Sequence, residues 1–188
     1  MNETAMTRPL DANDDLKALV RTIPGFPKPG IMFRDITTLF QDARGFKASV
    51  ERLAAPFADA GVEAVAGIEA RGFILGGAIA DRLGTGFLPI RKKGKLPAKA
   101  IGEEYELEYG VDTVELHEDA IRPGEKILLV DDLIATGGTA AAAARLIEKA
   151  GGAVAGAAFI IDLVDLGGCA RLRDLGVACH TLMQFEGD

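Results

Sequence analysis

The sequence predicts an α/β fold built on a doubly wound, mostly parallel sheet, and three observations carry that prediction. Apolar-rich runs at residues 64–68, 87–90, 127–130, 154–161 and 178–182 are short and bounded by turn residues, the mark of strands in a covered sheet. Stretches with helical patterning lie between most of them, which implies crossover connections rather than hairpins. Two of the runs lead into one plan of strand, small or polar loop and helix, at 64–83 and 127–150, and in such sheets ligands sit beyond the carboxyl ends of the strands.

Taken in order, residues 1–13 show no apolar period and are expected to be a frayed tail, with residues 1–15 outside the domain. From Asp14, an N-cap residue type, Leu16, Leu19, Val20 and Ile23 mark a short amphipathic helix ending before Pro24. Residues 24–30 hold too many prolines and glycines for regular structure, and they deliver 31–36 as a strand or ledge. Phe46, Val50, Leu53 and Phe57 fall at helical spacing, but Pro56 costs an interior turn about 3 kcal/mol, so a kink or restart is expected there. The helix after Glu69-Ala70-Arg71-Gly72-Phe73 runs through Leu83 and closes at Gly84. Residues 96–120 contain an acidic run at 103–109, and their alternation predicts a two-stranded flap, either a lid with glycine hinges or a plain solvated hairpin. Residues 140–150 form an alanine-rich helix stopped by Gly151-Gly152, and 169–175 a shorter one.

At 188 residues the chain is long enough for one domain whose core needs no disulfides or metals. A net charge of −7 argues against a nucleic-acid surface, although Arg91, Lys92, Lys93 and Lys95 form a patch able to hold a small polyanion. Cys169 and Cys179 are too few for a disulfide framework and lack metal-ligand spacing, with His117 and His180 standing apart, so reduced and inert thiols are expected. The first fifteen residues are polar and nowhere do eighteen apolar residues run together, from which a cytoplasmic location is expected.

The functional argument begins at 127–139, Ile-Leu-Leu-Val-Asp-Asp-Leu-Ile-Ala-Thr-Gly-Gly-Thr. Asp131 and Asp132 follow the buried run, and adjacent residues of an extended chain point to opposite faces, so the pair is not one duplicated surface charge. Ala135, Thr136, Gly137, Gly138 and Thr139 are small enough for consecutive backbone N–H groups to curl round an anion at a helix start. Together these read as a site for a ligand bearing both a phosphate and vicinal hydroxyls. No Lys follows Gly137-Gly138 as a P-loop requires, so a triphosphate is not expected. On the residues alone, a structural turn with a solvated acid pair is the alternative.

This pattern of apolar strand, two acids, two variable residues and Ala-Thr-Gly-Gly-Thr resembles the phosphoribosyl-pyrophosphate loop of the type I phosphoribosyltransferases. Residues 29–36 (PGIMFRDI), 69–73 (EARGF), 90–97 (IRKKGKLP) and 105–110 (YELEYG) resemble the adenine phosphoribosyltransferases among them, and the likeness runs from about Leu16 to the C-terminus. Met32, beside the base, and Glu104, on the lid, depart from the family's pattern. The resemblance implies one catalytic domain over 16–188, with an N-terminal hood at about 16–40 and a flexible flap at about 94–118. It also implies transfer of a 5-phosphoribosyl group from its pyrophosphate to N9 of adenine, giving AMP and pyrophosphate. Mg²⁺ is the implied cofactor, held mainly by substrate oxygens with no direct protein ligand.

By the same resemblance, residues 135–139 hold the 5-phosphate, while Asp131 and Asp132 orient the ribose diol and offset positive charge on the sugar. Glu69, Ala70, Arg71, Arg91 and Lys95 serve the pyrophosphate, with Arg71 as a bidentate clamp beside a Glu69–Ala70 peptide of the kind the family holds strained or cis. Adenine is implied to meet Phe33, Leu133 and the backbone of Arg34. Glu108 is implied to accept a hydrogen bond or proton from it, a general-base contribution of about 10²–10⁴-fold. A homodimer is implied too, with Arg91 reaching the neighbour's pyrophosphate. On composition Arg71 also suits an ordinary surface helix start. A regulator that senses phosphoribosyl pyrophosphate would need a basic face and no lid carboxylate, which the net charge of −7 and Glu108 disfavour; an enzyme for another purine is the nearer rival.

Overall fold

A computed structural model describes residues 13–106 and 110–186. Helix α1 (Asp14–Lys17) opens with two acids and buries Leu16; it lies partly within the span assigned above to a tail. The predicted continuation of this helix to Ile23 does not form. Thr22 and Ile23 are β-branched and precede a proline, and they are extended in β1 (Arg21–Pro24), paired antiparallel with β2 (Met32–Asp35) so that Ile23 faces Phe33. The partner strand lies beyond the proline-rich turn, and this pairing overrides the helical spacing. Helix α2 (Thr37–Gln41) follows, then α3 (Ala43–Ala54), capped by the Asp42 carboxylate, which accepts the Gly45 N–H at 2.7 Å. Pro56 stands in the 3₁₀ turn Ala55–Phe57, the restart its position predicts.

The remaining elements are β3 (Ala64–Ile68), α4 (Arg71–Leu83), β4 (Gly86–Lys92), β5 (Ala100–Glu106), β6 (Val111–His117), β7 (Lys126–Ile134), α5 (Gly138–Lys149), β8 (Ala153–Leu163), α6 (Gly168–Asp174) and β9 (Cys179–Phe185). They build one seven-stranded sheet in the order β5-β6-β4-β3-β7-β8-β9. The five strands predicted from apolar runs are its parallel portion. The flap hairpin β5–β6 joins it antiparallel to β4, through Arg91 opposite Glu115 and Lys92 opposite Val114. The hairpin is not simply solvated, because Tyr105, Val114 and Leu116 are buried in the core. Residues 107–109 of the flap, Glu108 among them, and residues 1–12 and 187–188 lie outside the described residues.

Central strand β7 feeds both layers. Ile127 and Leu129 pack with the alanines, Leu146 and Ile147 of α5, whereas Leu128 and Val130 pack with Val50 and Leu53 of α3 and Leu75 and Ile79 of α4. Each fully buried Leu, Ile or Val contributes about 1.5–3 kcal/mol, so this alternation anchors the strand and holds its carboxyl end in place.

Cys169 and Cys179 are not free thiols, contrary to the sequence reading. The start of α6 and the start of β9 bring their Cα atoms to 5.6 Å, and the two sulfurs form a disulfide. Two cysteines in a chain of this length carry no pairing signal of their own. They meet only because β9 lies parallel beside β8, which folds the intervening helix back over its own exit.

Candidate active site

Strand β7 continues past Val130 to Ile134, so Asp131 and Asp132 stand within the strand rather than after it. Asp131 lines a pocket of about 190 Å³ with Leu133, Ile134, Phe159 and residues 135–140. Helix α5 starts from Gly137 at φ 73° with no side-chain cap, which leaves its first-turn N–H groups without a capping side chain and suited to an anion. The Asp131 Oδ1 accepts the N–H of Asp132 at 2.9 Å. Burial first, and then the charge of Asp132, push the Asp131 carboxyl well above the usual carboxylate range.

Asp132 is buried and its Oδ2 accepts from Arg71 Nε at 2.5 Å. Arg71 is delivered by the first residue of α4, whose next residue has to be glycine: a Cβ on Gly72 would stand 2.9 Å from both the Val130 carbonyl oxygen and the Asp131 Oδ1. Closeness of backbone to backbone is what lets α4 present Arg71 to the acids. The preceding Glu69–Ala70 peptide is cis. Half-buried Glu69 gathers the basic patch, accepting from the Lys92 N–H at 2.9 Å, from Arg91 Nε at 3.3 Å and from Lys95 Nζ. Burial raises its carboxyl, but Lys95, the Lys92 amide and Arg91 outweigh that and leave it below the ordinary range. Arg91 also donates to the Lys95 carbonyl at 2.9 Å, so within one chain its side chain is turned onto its own loop.

A second cavity, about 350 Å³, is walled by Ile23, Phe26, Phe33, Arg34, Asp35, Ile36, Thr37 and Arg71. Phe26 meets Phe33 edge to face with centroids 5.1 Å apart. The Arg34 side chain is directed elsewhere, donating to Thr22 Oγ1 at 2.7 Å and to the Glu186 carbonyl at 3.1 Å, with its guanidinium 4.5 Å over Phe185. Asp35 braces the β1–β2 sheet: it accepts from the Thr37 hydroxyl at 2.6 Å, from Arg21 and from the Thr37 N–H at 3.0 Å, and in that order these hold its carboxyl down to about 2.

Of the residues singled out from sequence, Phe33, Arg34 and Arg71 therefore meet at one cavity, and Asp131, Leu133 and residues 135–139 at the other. Leu133 does not line the aromatic cavity. Ile23, Phe26, Asp35 and Thr37 were missed. An aromatic placed among prolines, as Phe26 is, was the available hint, and the structure leaves it 52% exposed. Lys92 was read only as part of the basic patch, and the roles of Tyr105 and Asp112 were missed; Lys92 Nζ bonds Asp112 Oδ2 at 2.5 Å and the Tyr105 hydroxyl, tying the turn end of the β5–β6 hairpin to the end of β4. Among the described residues no group of three or more His, Cys, Asp or Glu side chains could hold a metal, and no helix is long and apolar enough to cross a membrane.

The sequence pattern of the phosphoribosyl transferase domain matches residues 37–172. Adenine phosphoribosyltransferase of Methylobacterium radiotolerans is 62% identical over 172 residues, covering 92% of this chain and 95% of its own. The crystal structure of adenine phosphoribosyltransferase from Rhodothermus marinus matches with a TM-score of 0.87 and 50% identity, over 92% of this chain and 97% of the other. That from Saccharomyces cerevisiae, complexed with adenine and an imino-altritol bisphosphate, matches with a TM-score of 0.84 and 36% identity, over 90% and 97%. Agreement in domain pattern, in fold and in sequence along nearly the whole chain places it in one family: it belongs to the adenine phosphoribosyltransferases.

Proposed function

We propose that the anion loop and the aromatic cavity are the two substrate sites through which the chain joins adenine to the 5-phosphoribosyl group of phosphoribosyl pyrophosphate, releasing pyrophosphate and forming AMP. The observation that carries this assignment of roles is Arg71, which walls the aromatic cavity while its Nε holds Asp132. One guanidinium thus stands where the two ligands must meet.

The 5-phosphate sits on residues 135–139, against the uncapped start of α5. Asp131 and Asp132 accept the ribose hydroxyls, and as C1 becomes positive on losing pyrophosphate their charge offsets it. Arg71 matches the oxygens of the leaving pyrophosphate, with Lys95 and Arg91 held behind it by Glu69. Adenine enters the aromatic cavity against Phe33, with the peptide of Arg34 at its edge and Leu133 bordering the sugar; the yeast relative holds adenine. Glu108, which falls between β5 and β6 in the sequence, accepts from the base. Among the described residues no group of three or more His, Cys, Asp or Glu could hold a metal, which suits Mg²⁺ held mainly by substrate oxygens. When bound it supplies charge neutralisation on the leaving group.

The protein is expected to work as a homodimer. In the single chain Arg91 rests on Glu69, so a role in the neighbour's site requires it to swing away. Mixing Arg91→Ala subunits with Asp131→Asn/Asp132→Asn subunits tests that role: an equal mixture recovers about a quarter of wild-type activity only if sites are shared. Base choice tests the function itself. Pyrophosphate release is measured with adenine, hypoxanthine, guanine, xanthine and uracil in turn, and adenine is expected to lead the other purines by at least about 10³-fold in kcat/KM, because a 6-oxo purine exchanges a donor for an acceptor. Equal use of guanine overturns the adenine assignment.

A further inference from the structure

We propose that Gly168, the first residue of α6, is a positioning residue for the 5-phosphate loop; the proposal rests on the reading of residues 135–139 as that loop. A Cβ on Gly168 would stand 2.3 Å from the Ala135 carbonyl oxygen, 2.6 Å from Ile134 Cγ1 and 2.9 Å from the Gly137 nitrogen. The contact is reciprocal, since a Cβ on Gly137 would lie 2.8 Å from the Gly168 carbonyl oxygen and 2.9 Å from its Cα. Gly168 has no positive φ, so contact alone excludes a side chain there. Two stretches of bare backbone are therefore pressed together, and the one that faces the ligand pocket is backed by the other.

The backing element is itself well seated. Leu172 of α6 is fully buried and Cys169 nearly so, and Cys169 is joined to the start of β9. The loop has no comparable anchor of its own: it is short, made of small residues, and aims backbone N–H groups rather than side chains at its ligand. A misplacement of about 1 Å at such a site costs about 10²-fold in rate, and moving a carbonyl oxygen from 2.3 Å to ordinary contact is a displacement of about that size. Helix α6 touches no substrate in this scheme; it acts through the loop.

Gly168→Ala is the direct test, read by the KM for each substrate, kcat, the melting temperature, and equilibrium binding of ribose 5-phosphate and of adenine. The KM for phosphoribosyl pyrophosphate and the Kd for ribose 5-phosphate are expected to rise at least about tenfold, with the adenine Kd within about twofold of wild type. Wild-type constants in a folded variant overturn the proposal, as does a fall in kcat that tracks melting temperature while both KM values stay put. Weakened adenine with intact ribose 5-phosphate binding overturns both the proposal and the loop reading. Should Gly168→Ala fail to fold, Leu172→Val and Ile79→Val decide. Each removes one buried methylene, beneath α6 and within α4 respectively, and only the first is expected to raise the KM for phosphoribosyl pyrophosphate. Identical behaviour of the two refutes the role.

Discussion

Asp131→Asn is expected to make the ligand-free protein more stable while removing most of its activity. The folded chain takes the Asp131 carboxyl partly out of water and sets it beside Asp132, and both effects penalise its ionised form. Asp132, one residue on, has its charge answered by Arg71 at 2.5 Å. Every tenfold weakening of an acid by folding subtracts about 1.4 kcal/mol from stability once the pH is above both its unfolded and folded pKa. In a domain of this size 1 kcal/mol moves the melting temperature by about 2–4 °C. Asparagine is nearly isosteric and keeps an acceptor for the Asp132 N–H, so a rise of at least about 3 °C at pH 8 is expected. The sign depends on pH. An unfolded aspartate ionises near pH 3.9 or so; from there up to its raised native pKa the folded chain holds a proton that the unfolded chain has lost, and wild-type stability falls as pH rises. The two proteins should therefore melt together below about pH 3.5 and separate as the pH climbs, the gap levelling off above the native pKa. Asp132→Asn should behave differently, losing an ion pair to a half-exposed arginine worth about 0–1 kcal/mol and melting at or below wild type. Scanning calorimetry of the ligand-free proteins from pH 3.5 to 8, with turnover measured alongside, is the assay. A lower melting temperature for Asp131→Asn at pH 8, or a gap that ignores pH, would refute the reasoning.

Arg71→Ala should raise the KM for phosphoribosyl pyrophosphate at least about tenfold while shifting the melting temperature by less than about 3 °C, since the side chain is 48% exposed; an unchanged KM returns Arg71 to an ordinary helix start. Asp35→Asn should cost about 2 kcal/mol through lost charge-assisted hydrogen bonds and raise the KM for adenine more than that for phosphoribosyl pyrophosphate, because the β1–β2 sheet walls the aromatic cavity. The stabilisation from that carboxylate is present above about pH 4 and lost as the pH falls toward about 2, so variant and wild type should converge in acid melts; equal KM ratios for the two substrates would detach Asp35 from the base. Glu108→Ala should lower kcat about 10²-fold or more with little change in phosphoribosyl-pyrophosphate affinity. Wild-type turnover in that variant would reduce the flap tip to a cover.

The sequence by itself determined the features whose causes are local. Buried parallel strands need apolar runs, and a helix that starts from bare backbone needs small residues just ahead of it, so the strand, turn and helix start of residues 127–139 were legible without any partner in view. The same holds for the restart at Pro56, where a missing N–H acts within its own turn. Tertiary structure alone decided whatever depends on two segments meeting. Arg71 and Asp132 are 61 residues apart, and nothing near either names the other. Ile23 carries a helical spacing that gave way to a strand partner across the proline turn, and Phe26 became a cavity wall through the same pairing. Cys169 and Cys179 joined because β9 was laid beside β8, and Gly168 came to lie against residues 134–137 because α6 begins there. Periodicity and turn chemistry act over a few residues and are written in order along the chain. Contacts closed by burying a shared core are set by the sum of the whole molecule's packing, and no short stretch of sequence contains that sum.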